Sequence, residues 1–358
     1  MIRGWTEKSI GRVSVCVGKM KEFGSDFHYV PLAESCGKTI RDYYPDAVYY
    51  AAGRQALIDL YEQKGWKSLW VPEYFCYEVL ASMQRRGVNL KFYPDYPLAD
   101  ERDFYLSLPY EDGDALLRVN YFGLRSVRTN AGIPVPVVED HTHDLIGDWA
   151  TGSDAEWCIA SLRKTLPIAE GGILWSPKGL KLQKEIELIT ENSKIASKRW
   201  AAMRKKALYL KNVIDDKSEF RTAMLSTEEE FDSMRISALD KETQEYLQEF
   251  DIAQWYEKKN NNREILRDAL SGMVHILEPD GSGCNPFSLT LLFDTEAERN
   301  DFRECLINRS VYPAILWSVP ETKCLEAVDF SRRMLSVHCD ARYGTEEIKQ
   351  LQDIIAGI

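Results

Sequence analysis

An acidic pair and a lysine stand at the ends of two strand-like segments near the middle of the chain. Val137 to Trp175 reads VVEDHTHDLIGDWATGSDAEWCIASLRKTLPIAEGGILW. One strand delivers Glu139 and Asp140 at its carboxyl end, and a second delivers Lys164, 24 positions after Asp140 and followed by Glu170, Gly171 and Gly172. A lysine there works as an imine-forming nucleophile if burial or a neighbouring cation such as Arg163 lowers its pKa. A carboxylate buried nearby needs a cationic partner, and a protonated pyridine nitrogen is one. Together the two groups meet the needs of pyridoxal phosphate, a Schiff-base lysine at one end of the ring and an acid at the other. Earlier in the chain, Ala52, Gly53 and Arg54 form a tight turn into a helix, whose free N–H groups suit a phosphate.

These residues need a scaffold that brings strand ends together. From about Tyr49 to Trp175 helical and strand-like segments alternate, the pattern of βαβ units around a mostly parallel sheet. Gly53 to Lys64 places Ala56, Leu57, Leu60 and Tyr61 at helical spacing, with Gly65 as the stop. Strands are expected at Ser68 to Val71, Leu90 to Tyr93, Leu116 to Tyr121, Val135 to Asp140, Cys158 to Leu162 and Ile173 to Trp175, and a further helix at Glu73 to Arg86. Such sheets bind ligands beyond the carboxyl ends of their strands. Long charged helices are expected over Lys178 to Asn212 and Glu228 to Asp268. After the turn-rich DGSGCNP segment at 280–286, a smaller α+β unit follows. Its elements are the strands Phe287 to Phe293, Val311 to Leu316 and Met334 to His338, and the helices Glu296 to Asn308 and Thr345 to Ile355. The expected organisation is an N-terminal segment (1–44), a large α/β domain (45–250) and a small α+β domain (251–358).

Composition narrows the function. The 358 residues carry 45 Lys+Arg against 56 Asp+Glu, a net charge of −11, which disfavours a general nucleic-acid binder or a protein drawn to anionic membranes. No apolar run approaches the ~20 residues of a membrane-spanning helix. The first 23 residues lack the apolar stretch and cleavage site of a secretory signal, so a cytoplasmic protein is expected. Eight cysteines occur without a C-x-x-C pair, the pattern of reduced thiols.

The motifs resemble those of the DegT/DnrJ-type aminotransferases, pyridoxal-phosphate enzymes of fold type I that act mostly on nucleotide-linked keto sugars. The likeness rests on the turn Gly53-Arg54-Gln55-Ala56-Leu57, on Pro72 to Val79, on Glu139-Asp140-His141-Thr142-His143, and on Lys164 with Glu170-Gly171-Gly172. It continues through VYPAILW (311–317) and MLSVHCDARY (334–343). The resemblance implies an α/β fold with a mostly parallel central sheet flanked by helices. It implies Lys164 as the Schiff-base lysine and proton carrier, Asp140 on the pyridine nitrogen, His143 on the hydroxyl side of the cofactor, and Gly53 with Arg54 at the phosphate. A lysine where the dehydratase branch has histidine favours amino transfer, from a donor such as glutamate to a keto acceptor. A homodimer with a shared active site is implied, with Arg235 to Ser237 as the candidate contribution to the partner. The chain departs from the family pattern in two places. Cys76, flanked by Phe75 and Tyr77, falls where a ring-stacking aromatic stands, and Ile159 falls at the usual phosphate serine, leaving Ser161 or Arg54 for that duty.

Other features have plainer readings. Lys194, Lys198, Arg199, Arg204, Lys205, Lys206 and Lys211 read as the solvated face of a helix rather than a diphosphate site. Arg342 reads equally as a carboxylate binder or a structural ion pair. Tyr312 and Trp317 read as packing aromatics that could also line an acceptor pocket. Two rival functions use the same residues. One is a metal-dependent hydrolase on Glu139, Asp140, His141, His143 and Asp144, with His141 and His143 on one strand face. The other is a catalytically silent binding homologue, against which the presence of Lys164 argues. No metal is expected.

Overall fold

The computed structural model describes residues 21–33, 37–99 and 104–358. Cys16, Cys36 and residues 1–20 of the expected N-terminal segment lie outside them. After β1 (Phe23–Gly24) and the one-turn α1 (Ile40–Tyr43) comes a seven-stranded sheet. Its strands are β2 (Val48–Tyr50), β3 (Ser68–Pro72), β4 (Leu90–Tyr93), β5 (Asp114–Val119), β6 (Val137–Asp140), β7 (Trp157–Ser161) and β8 (Gly172–Trp175), in the spatial order β2-β8-β7-β6-β5-β3-β4. Strand β8 runs antiparallel to both neighbours, and every other pairing is parallel.

Parallel strands are buried on both faces and so carry apolar residues at successive positions. In β5 to β8, Leu116, Val137, Cys158 and Ile173 enter one core while Leu117, Val138, Ile159 and Leu174 enter the other. Helices α2 (Gly53–Lys64) and α3 (Tyr77–Arg85) cover the second face, burying Ala56, Leu57, Leu60, Leu80 and Met83. Helix α2 has the bounds expected from its spacing and ends on Gly65 in the left-handed conformation, φ +63°. Short α4 (Asp148–Thr151) and α5 (Leu162–Thr165) follow β6 and β7.

The long charged stretch divides more finely than expected. Residues 178–189 form no helix: Leu182 and Ile186 rest partly buried against the second core while Leu180 and Leu188 stay exposed. Helix α6 (Thr190–Leu210) begins only where Ile195, Trp200 and Met203 can be buried. It is followed by α7 (Ser218–Ser233), α8 (Lys241–Glu249) and α9 (Ile252–Leu270). Asp240 and Asp251 cap the last two by accepting from the Glu242 and Gln254 N–H groups, and these caps break the expected 228–268 run into separate helices.

The remaining elements are β9 (His275–Ile276), β10 (Leu289–Leu292), α10 (Glu296–Ile307), β11 (Val311–Tyr312), α11 (Leu325–Arg333), β12 (Met334–Val337) and α12 (Thr345–Ala356). Strands β12, β10 and β9 make an antiparallel sheet whose Leu289, Leu291, Leu335 and Val337 pack with Leu266 and Leu351. The strand expected over 311–316 shrinks to two residues paired in parallel with β1. Pro313 has no N–H to continue that ladder. No helix among the described residues is long and apolar enough to cross a membrane.

Candidate active site

Side chains alternate across a strand, so the acidic pair at the end of β6 divides between the two faces of the sheet. Asp140 follows Val138 toward α2 and lines a cavity of about 120 Å³ together with Gly53, Arg54, Phe75, Cys76 and Lys164. Glu139 follows Val137 to the opposite face. There it accepts from Asn130 Nδ2 at 2.8 Å and lies 3.1 Å from His141 Nε2. The chain leaves the strand at Asp140 and turns, with the Asp144 N–H donating to the His141 carbonyl. That turn returns His143 to the Asp140 side, so His141 and His143 do not share a strand face.

Asp140 is held by the Thr142 N–H, 2.8 Å from Oδ1, and burial raises its pKa. Among the described residues no cationic side chain pairs with it. Thr142 Oγ1 in turn accepts from the Ser161 N–H at 2.9 Å, which joins the Asp140 turn to the end of β7. Ser161, two residues beyond Ile159, faces the same cavity.

Lys164 lies on the single turn of α5 directly after β7. It keeps accessible surface, as a reacting amine must, within the walls of two cavities: the one just described and a larger one of about 330 Å³. Burial, then the charge of Arg163, lowers its pKa, and among the described residues Nζ has no ion-pair partner. Arg163 itself is clamped by Glu228 on α7, with Nη2 2.8 Å from Oε2 and Nη1 donating to Oε1.

His143 is 3% exposed and sits against Phe287 and Trp317, at ring-centroid distances of 4.6 and 5.5 Å. Its Nδ1 accepts the Phe122 N–H at 3.1 Å. Burial, then Lys164, pulls its pKa down to about 3, so the ring is neutral and carries its proton on Nε2. Asp144 organises the segment beneath by accepting from the Gly147 and Asn285 N–H groups, each at 2.9 Å.

Glycines let the backbone approach closely beside the cavity, which Gly53 lines. A Cβ on Gly53 would stand 2.9 Å from Ser161 Cα, and one on Gly172 would stand 2.5 Å from the Ala52 carbonyl. Gly171 adopts φ +146° and donates its N–H to the Ala51 carbonyl. The Glu170-Gly171-Gly172 run thus holds β8 against the turn that opens α2. Ala52, the N-cap of that helix, offers no side chain to the first turn; the Gln55 N–H donates to the Ala52 carbonyl, and the N–H groups of Gly53 and Arg54 are left to face an anion.

The remaining candidates fall as follows. Arg54 lines the cavity and its Nη1 is paired with Asp232. Phe75 and Cys76 face the cavity, while the Tyr77 hydroxyl donates to the Glu73 carbonyl. Arg342 is a structural ion pair: Nε and Nη2 donate to Asp340 at 2.7 and 2.9 Å, and Nη1 donates to the Ser25 and Asp26 carbonyls. Trp317 lines the smaller cavity; Tyr312 lines neither. Arg235 is exposed, whereas Ser237 is buried against α2 through the Gln55 side chain.

The solvated-face reading of α6 fails for two of its members. Lys194, Lys198, Arg204 and Lys211 are exposed, but Arg199 and Lys206 are 5% and 1% exposed. They share the inward stripe of Ile195, Met203 and Leu210, a spacing visible in the sequence. Glu228 and Thr142 were not singled out by sequence. Thr142 lay within the recognised motif, and Glu228 could be found only through the fold.

The hydrolase reading gains no support, because its five expected ligands do not converge on one point. Glu139, His141 and Cys158 cluster in the buried layer opposite the cavity, and Asp140, His143 and Asp144 are engaged elsewhere.

A seven-stranded, mostly parallel sheet with one antiparallel strand and flanking helices has the architecture of the fold type I aminotransferases. The structure superposes on PseC from Helicobacter pylori, an aminotransferase involved in the biosynthesis of pseudoaminic acid, with a TM-score of 0.60 and 13% identity over 94% of this chain and 99% of that one. It superposes on Spr1654 from Streptococcus pneumoniae in its PMP form (TM-score 0.61, 11% identity, 93% of each chain). It also superposes on a DegT/DnrJ/EryC1/StrS aminotransferase from Brucella abortus (TM-score 0.55, 13% identity, 87% and 85%). The fold expected from the sequence resemblance is therefore present. No protein-family model and no curated protein matches the sequence.

Proposed function

We propose that the chain is a pyridoxal-phosphate-dependent aminotransferase. The observation that carries this reading is the convergence of Asp140 and Lys164, from the ends of paired strands, on one cavity. The residues present fit the cofactor. Asp140 is a carboxyl in want of a cation, Lys164 an amine of lowered pKa, and Gly53 a cavity-lining position where a Cβ would press on Ser161.

In this reading Asp140 holds the protonated ring nitrogen and His143 donates Nε2–H to the ring hydroxyl. The α2 amides with Ser161 and Arg54 receive the phosphate, and Phe75 and Cys76 cover a ring face. The cofactor supplies the electron sink that labilises the bond at the donor's α-carbon. Lys164 Nζ takes the proton from that carbon and returns it to the acceptor carbon, for which a lowered pKa suits it. The Thr142 hydroxyl, fixed by the Ser161 N–H, keeps the Asp140 turn from moving as charge shifts. Arg163 stays cationic beside the amine and favours its neutral, reactive form.

The donor in this proposal is an amino acid, glutamate, and the acceptor a nucleotide-linked keto sugar. The enzyme works in the cytoplasm as a homodimer with a shared active site, the exposed Arg235 being available to a partner. These finer statements draw on the resemblance of the sequence motifs, and the sugar acceptor also on the likeness to PseC, an aminotransferase involved in the biosynthesis of pseudoaminic acid. The purified protein should be yellow, lose that band on borohydride reduction, and lose it reversibly on adding glutamate. A colourless protein that takes up no pyridoxal phosphate would refute the proposal.

A further inference from the structure

Two deeply buried arginines flank Lys164 and share one carboxylate. Arg163, on α5, and Arg199, on α6, have side chains only 8% and 6% exposed. Arg163 holds Glu228 through both terminal nitrogens, and Arg199 Nη1 lies 2.9 Å from the same Oε1. Arg199 is braced from behind by the Met224 carbonyl, Thr227 Oγ1 and Asp26. Glu228 differs from the cations it joins: it projects from α7 with 39% of its side chain exposed. The arginines are the fixed wall, and the carboxylate is the part that water can reach.

Arg163, Lys164 and Glu228 line both cavities, so this triad stands where the two meet. Five basic and three acidic side chains line the larger cavity, a surplus of positive charge even with Glu228 in place. Arg342 in that cavity is already committed: Asp340, 9% exposed, takes Nε and Nη2, and the Ser25 and Asp26 carbonyls take both Nη1 N–H groups. The exchangeable pair is therefore the one at Glu228. A guanidinium fork matches a carboxylate in two-point geometry, and this fork already holds one.

We propose that Arg163 and Arg199 form the subsite for the carboxylate of the amino-acid donor, and that Glu228 occupies it as a tethered stand-in until the donor displaces it. The donor's place in this proposal rests on the aminotransferase reading; the carboxylate subsite itself does not. Glu228 lowers the apparent affinity of the subsite by the fraction of time it fills it, and a Glu228→Gln side chain, neutral and the same size, relieves that competition.

The test is calorimetric titration of the cofactor-loaded protein with succinate, a dicarboxylate that cannot donate an amine, at constant ionic strength. Glu228→Gln should bind succinate about 10-fold or more tighter than wild type. Glu228→Asp, too short to span both arginines, should shift affinity in the same direction and serves if Glu228→Gln folds poorly. Unchanged or weaker succinate binding in a folded variant overturns the proposal. So does inorganic phosphate gaining as much as succinate, since the subsite would then read phosphate. If the protein takes up no pyridoxal phosphate, the aminotransferase reading falls, while the same titration on the protein as purified still decides the subsite.

Discussion

The place where Gly172 would carry a Cβ is 2.5 Å from the carbonyl carbon and oxygen of Ala52. Both are backbone atoms held by the pairing of β8 with β2 and by the bond from the Gly171 N–H to the Ala51 carbonyl. Neither can move without shifting the first turn of α2. Gly172→Ala should therefore cost about 3 kcal/mol of stability and reduce cofactor uptake together, measured by denaturant unfolding and by absorbance. A variant as stable as wild type would show that this contact is not what the glycine serves.

Asp140→Asn keeps an oxygen to accept the Thr142 N–H but removes the charge that faces the cavity. The fold and cofactor uptake should survive. Turnover should fall by ~10²–10³, the scale on which loss of one preorganised electrostatic group acts. Turnover within ~3-fold of wild type would remove Asp140 from the mechanism.

Glu170 gives a pH signature of the fold. Burial, the leading cause, pushes its pKa up to about 8 from the usual 4.5, and Oε1 accepts the Asp240 N–H. Oε2 is buried without a hydrogen-bond partner among the described residues. The folded chain binds a proton on Glu170 between about pH 4.5 and 8 and the unfolded chain does not, so this contribution to stability falls as pH rises through the window. The slope is at most ~1.4 kcal/mol per pH unit. Glu170→Gln is neutral at every pH. Its unfolding free energy should fall less steeply with pH than that of wild type, and parallel pH profiles would refute the raised pKa of Glu170.

The sequence made the parts of this site legible where local pattern and chemistry agree. Helix α2 and strand β4 have the bounds their spacing predicts, and Asp140, His143, Ser161 and Lys164 all reach one cavity. It failed where a decision belongs to packing. Strand alternation predicts His141 and His143 on one face, but the strand stops at Asp140 and the turn reverses the second histidine. Arg199 and Lys206 look like solvated charges because their partners, Glu228 and Asp26 among them, lie far away in sequence. The equal readings of Arg342 are separated only by Asp340 and the carbonyls of Ser25 and Asp26, which the fold brings together.

The amine of Lys164 is the group on which the proposed chemistry turns. Borohydride reduction of the cofactor-loaded protein, followed by peptide mass spectrometry, should place a reduced pyridoxal phosphate adduct on Lys164, and Lys164→Ala should remain folded with no adduct and no turnover. An adduct on another lysine, or a Lys164→Ala variant with activity within ~10-fold of wild type, would contradict it, because a lost covalent nucleophile costs several kcal/mol of barrier.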